Sequence, residues 1–139
     1  MATFNKVNSF QTQLGLGDMN LNTDTLKVYL TNTLPVVTNT VFGTPAEISA
    51  GNGYTAGGED VQNAFAANGA TGELTGVDVT WTASGGQVGP FRYVVIYDDT
   101  PATKHLIGWW DYGSEVTLND TETFTTDFGG VGDVILTIS

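Results

Sequence analysis

Residues 91–97 read Phe-Arg-Tyr-Val-Val-Ile-Tyr, and no other stretch limits the possible folds so tightly. A strand with one wet face alternates apolar with polar residues. This run is apolar everywhere except at Arg92, with three aromatic and three β-branched side chains. The pattern predicts an interior strand covered on both faces. Residues 98–103, Asp-Asp-Thr-Pro-Ala-Thr, supply turn chemistry, because Pro101 fixes φ and removes a donor. Residues 106–112, Leu-Ile-Gly-Trp-Trp-Asp-Tyr, then follow as the hairpin partner. The pair holds two of the three tryptophans and three of the five tyrosines, so the core is expected there.

Neighbouring strand residues point to opposite faces, so Trp109 and Trp110 cannot enter the same layer. One is expected in the core. Three roles stay open for the other: a second buried layer, a subunit contact, or an aromatic platform beside Asp111 on which a sugar could stack.

Around this hairpin the chain reads as further short strands with Gly, Asn and Asp turns. Residues 25–30 alternate Leu26, Val28 and Leu30 against Lys27 and Tyr29, a confident strand pattern. Residues 114–118, 121–128 and 131–138 are expected as strands, with turns at Asn119 and Asp120 and at Gly129 and Gly130. Residues 61–67 fit a helical turn or a weak strand equally well. Thr44, Pro45 and Glu47 have the spacing of a capping box, which predicts one helical turn ending near Gly51. Phe4, Val7, Phe10 and Leu14, spaced by three, three and four, suit one face of a short helix. Residues 1–25 are therefore read as an N-terminal arm or short helix, and residues 26–139 as a single domain. The expected fold is all-β, an antiparallel sandwich of jelly-roll-like character.

At 139 residues the chain can bury a core without cross-links, and it has no cysteine to make them. No apolar run approaches the ~20 residues that span a bilayer, and the first residues lack the basic-then-apolar pattern of a secretion signal. Lys6, Lys27, Arg92 and Lys104 stand against fifteen carboxylates, a net charge of −11. Nucleic acid and anionic membranes would be repelled, so neither is expected as a partner. Scattered acids of this kind keep copies apart in solution.

Nothing in the sequence assembles reactive chemistry, and no enzyme is expected. His105 sits in a turn beside Lys104; Asp98 and Asp99 could lie across that turn and orient it, but a solvated loop histidine is expected. None of the five serines lies in a Gly-x-Ser-x-Gly elbow. The loop acids, Asp98 with Asp99 and Asp120 with Glu122, lack the Asp-x-Asp-x-Asp-Gly spacing of a calcium loop. No metal or other cofactor is expected.

Four runs taken in order carry a family likeness: residues 53–58 (Gly-Tyr-Thr-Ala-Gly-Gly), 79–81 (Val-Thr-Trp), 91–100 and 106–113 (Leu-Ile-Gly-Trp-Trp-Asp-Tyr-Gly). From Leu26 onward the chain resembles a group of small virion structural proteins of tailed bacteriophages. The resemblance implies a capsid decoration or cement protein on the virion surface, made in the host cytoplasm and bound to the major capsid protein. By analogy with other cement proteins it implies a homo-oligomer, a trimer being the guess. The other role in view is a carbohydrate-binding module of a tail fibre or head fibre. The contact residues expected are Phe4, Val7, Phe10 and Leu14 from the N-terminal stripe, with Trp109, Trp110 and Tyr112 from the hairpin.

Overall fold

The computed structural model describes residues 3–128 and 133–139. In order these form β1 (Phe4–Lys6), α1 (Ser9–Gly15), β2 (Leu26–Thr31), β3 (Glu59–Asp60), β4 (Ala64–Asn68) and β5 (Thr71–Thr75). There follow β6 (Thr80–Thr82), β7 (Val88–Asp98), β8 (Leu106–Leu118), β9 (Thr123–Thr125) and β10 (Val134–Ile138). A five-stranded sheet is ordered β1-β8-β7-β2-β3, a three-stranded sheet β10-β5-β4, and β6 pairs with β9. Every pairing is antiparallel. Buried side chains from all three sheets join in one core. The architecture is the all-β antiparallel sandwich that the strand pattern predicts.

The two aromatic-rich segments lie side by side. Val94 is opposite Trp110, Val95 opposite Trp109 and Ile96 opposite Gly108. With β2 on its other edge, β7 is an interior strand, and it is buried without a break from Tyr93 to Asp98. Residues 114–118 are a continuation of β8 and not a separate strand. Gly113, at φ 89°, permits a bend that a side chain would resist, and the pairing with β7 slips between Phe91 and Tyr93.

Other elements depart from local expectation for identifiable reasons. The expected strand over 121–128 shortens to β9, because Thr126 turns its hydroxyl into the ladder: the Val79 N–H donates to Thr126 Oγ1 at 3.0 Å. The undecided residues 61–67 become β4, hairpinned to β5 through residues 69–70. The turn at Gly129 and Gly130 and the expected start of a strand at Val131 lie outside the described residues; β10 covers the remainder.

The predicted helix face over Phe4, Val7, Phe10 and Leu14 is split between two elements. Phe4 belongs to β1, opposite Trp110, and only the segment from Ser9 onward is helical. An open edge of β8 offers unpaired N–H and C=O groups, and satisfying them outweighs three residues of helix propensity. The capping box at Thr44 does not form either. No helix starts there; Glu47 instead reaches forward, accepting the Tyr54 hydroxyl at 2.8 Å and the Gly57 N–H at 3.0 Å. Both ends of the 53–58 run must be glycine for a common reason. Gly53 (φ 103°) and Gly58 (φ 80°) are left-handed, and a Cβ would collide with the carbonyls of Thr82 and Val28 respectively.

Candidate functional site

The few cations of the chain are spent internally. Lys27 and Lys104 both pair with Asp99, at 3.2 and 2.7 Å, and Arg92 grips Asp111 at 2.8 Å. Burial pushes the Asp99 carboxyl up, but the two lysines prevail and hold it below the usual carboxylate range. Arg92, with the Gly113 N–H, does the same for Asp111. Lys6 bonds the Gln11 amide at 3.1 Å. Most of the fifteen carboxylates are left without a cation, so the surface is negative over most of its extent.

One region differs. Residues 7–17, 28–46 and 134–139 contain no Asp, Glu, Lys, Arg or His. The three segments meet at α1: the Asn8 N–H, just before the helix, donates to the Val37 carbonyl at 2.8 Å, and a cavity separates α1 from the end of β10, lined by Phe10, Gln11, Leu14 and Ile138 with Lys6 at its side. A second groove of about 260 Å³ runs on from Leu14 and Ile138 to Met19, Leu21 and Phe65. Among the described residues, five of the six exposed large apolar side chains lie in these segments: Leu16, Leu34, Val36, Val37 and Ile138. Leu16 is 70% exposed and Leu34 60%. Exposed apolar residues gathered where charge is absent make a surface that water and like-charged copies leave easily.

Against this surface the residues expected from sequence divide. Val7 and Phe10 are buried, so the N-terminal stripe packs on its own domain. Phe4 is half-buried against the Trp110 ring, centroids 4.9 Å apart. Leu14 lines both grooves, and Phe10 lines the one between α1 and β10. Trp109 and Trp110 are both buried, at 7% and 2% exposure, which is the second-layer arrangement; the aromatic platform is not formed, since neither ring has a free face and Asp111 is held by Arg92. Tyr112 is half-buried, its ring edge-on to Phe124 at 5.0 Å. Burial pushes its phenol up to about 12, with the charges of Asp127 and Asp78 adding to the effect.

Sequence reading missed Leu16, Leu34, Val36, Val37 and Ile138. The available signal was a nineteen-residue stretch, 28–46, free of Asp, Glu, Lys, Arg and His in a chain of net charge −11. It also missed an acidic group: carboxylate oxygens of Asp78, Asp127 and Asp133 lie within 4.8 Å of one another. These would give a hard cation three of the roughly six to eight oxygens that calcium takes. The loop acids considered from sequence act as turn formers instead. Asp120 accepts the Gly85 N–H at 2.9 Å, and Glu122 accepts the Asn119 N–H at 2.7 Å. His105 contributes its backbone carbonyl to the Asp98 N–H at 2.9 Å.

Fold and surface together define a small all-β module with an apolar face around α1. Comparison with protein-family models, curated proteins and solved structures found no match.

Proposed function

We propose that this chain is a structural protein of a bacteriophage virion, a decoration subunit that docks on the assembled head through the face around α1. The observation that carries the reading is the gathering of Leu16, Leu34, Val36, Val37 and Ile138 on uncharged segments of an otherwise acidic chain. The family likeness of the Gly-Tyr-Thr-Ala-Gly-Gly and Leu-Ile-Gly-Trp-Trp-Asp-Tyr-Gly runs points to the same class. Covering one such Leu or Val side chain contributes up to about 1.5–3 kcal/mol, so a few per copy suffice once many copies bind and oligomers add avidity. The major capsid protein is the proposed partner. Homo-oligomers would form before or during docking, with the carboxylates turned outward, where they keep decorated particles apart.

The test is occupancy on heads lacking the protein. Purified wild-type chain should bind such heads and raise their resistance to heat, and Leu16→Asp with Val37→Asp should abolish binding while the subunit stays folded. Copurification with tails, or undiminished binding by the double variant, would overturn the reading.

A further inference from the structure

Asp98 ends β7 with its side chain completely buried. Its Oδ1 accepts the Thr100 N–H at 3.1 Å, while no donor among the described residues reaches Oδ2. The carboxyl it faces is that of Asp24. Strand pairing brings the two together: Leu26 lies opposite Asp98, the Asp99 N–H donates to the Thr25 carbonyl at 2.9 Å, and the Thr25 N–H donates to Thr100 Oγ1 at 2.7 Å. Asp24 is itself anchored, accepting the Asn20 N–H at 2.9 Å.

The other charged groups nearby do not neutralise this pair. Lys27 on β2 and Lys104 in the turn both bond Asp99. On β3, Asp60 lies opposite Lys27 and Glu59 opposite Val28, adding negative charge only. His105 presents its carbonyl to the Asp98 backbone. Two carboxylates in contact without a cation cannot both be ionised.

We infer that Asp98 keeps its proton where it meets the Asp24 carboxyl, and that this proton is a latch that holds the 18–25 loop against the grooves below α1 and opens in alkali. Burial, then the contact with Asp24, pushes the Asp98 carboxyl up to about 8. What the latch holds is specific. Met19 and Leu21 are buried and line the apolar groove with Leu14, Phe65 and Ile138. Asn63 Nδ2 donates to the Leu21 and Asp24 carbonyls at 2.8 and 3.0 Å, and the Phe65 N–H donates to Asn22 Oδ1 at 3.2 Å. Losing the proton sets two like charges against each other at the root of this loop. It then lifts, and Met19 and Leu21 leave the groove. The latch does not depend on what the α1 face binds.

Two measurements on the full chain test it. Carboxyl-carbon chemical shifts of the wild type, which need no variant, should show Asp98 protonated at about pH 6 and titrating near pH 8. Hydrogen exchange, corrected for intrinsic rates, should show the amides of Asn22, Thr23 and Asp24 losing protection through the same midpoint while those of Val94, Val95 and Ile96 keep theirs. Asp98→Asn should remove that midpoint and leave the loop protected throughout. Titration of Asp98 near its ordinary value of 3.8 would overturn the inference. So would a midpoint that persists in the variant. Calcium alone, added at about neutral pH and displacing the proton with tight binding, would make the pair a cation site instead and equally overturn it.

Discussion

Phe4 and Trp110 face each other across the β1–β8 pairing, their rings 4.9 Å apart and tilted by 53°. Through this contact the first described strand closes over the sheet that carries the central hairpin. Trp110 in turn meets Phe128 at 5.2 Å, so residues from both ends of the chain converge on one indole. Gly108 lies beneath the Phe4 ring, where a Cβ would strike that ring and the Asn5 carbonyl.

Phe4→Ala should therefore destabilise the whole domain and not merely loosen a terminus. The ring is half-buried, so a loss of about 2 kcal/mol is expected, below the ~3–5 kcal/mol of a fully enclosed Phe. Gly108→Val should cost more, because it evicts β1 altogether. Urea midpoints followed by tryptophan fluorescence measure both, and an unchanged midpoint for Phe4→Ala would show that β1 contributes nothing to the core.

The Tyr54 hydroxyl donates to Glu47 Oε2 at 2.8 Å and accepts the Leu30 N–H at 3.2 Å, bridging a loop to an interior strand. Burial pushes its phenol well above the ordinary range, so it stays a donor at any accessible pH. Tyr54→Phe keeps the ring, which packs 6.4 Å from Trp81, but orphans the Leu30 N–H and leaves Glu47 with the Gly57 N–H alone of these two donors. A loss of roughly 1–3 kcal/mol is expected from denaturation curves, and a neutral effect would rule out the bridge.

Asp98 makes stability depend on pH with a definite sign. Its carboxyl lies at about 8 in the folded chain against 3.8 ordinarily, so the fold retains a proton that the unfolded chain releases. The stabilisation is complete below pH 3.8, falls as pH rises toward about 8, and levels off above. The slope between those limits is at most about 1.4 kcal/mol per pH unit. Asp98→Asn should flatten the curve and melt at a higher temperature than wild type at pH 8. Parallel melting curves for the two proteins, with no difference in slope between pH 5 and 8, would contradict the assignment.

Leu16 and Val37 should behave in the opposite way from Phe4. Both are exposed, so Leu16→Asp and Val37→Asp should each change stability by no more than about 0.5 kcal/mol. Binding to undecorated heads should fall by tenfold or more per substitution, since each buries a charge without a partner. Sedimentation of the chain with heads reads the effect; equal loss of stability and binding would place these residues in the fold and not in the contact.

What could be read locally was read correctly: a both-faces-apolar run at 91–97 must be an interior strand, and a tight polar turn must return it beside 106–112. Where local signals conflicted with distant partners, the partners won. Phe4 has helical spacing to Val7 but joins the sheet edge at β8, and Glu47 has capping-box spacing to Thr44 but binds Tyr54 and Gly57. Trp109 and Trp110 were placed on opposite faces by the period of a strand, yet spacing alone left open whether the second face was covered. The structure covers it.

By itself, then, the sequence determined the class of fold and the central hairpin, because strand period and turn chemistry act between residues close along the chain. Only the tertiary structure decided that uncharged parts of residues 7–17, 28–46 and 134–139 meet around α1, and that Asp24 stands against Asp98. Those relationships join residues far apart in the chain. They exist only once burial in a common core has set the distances between side chains that no spacing rule connects.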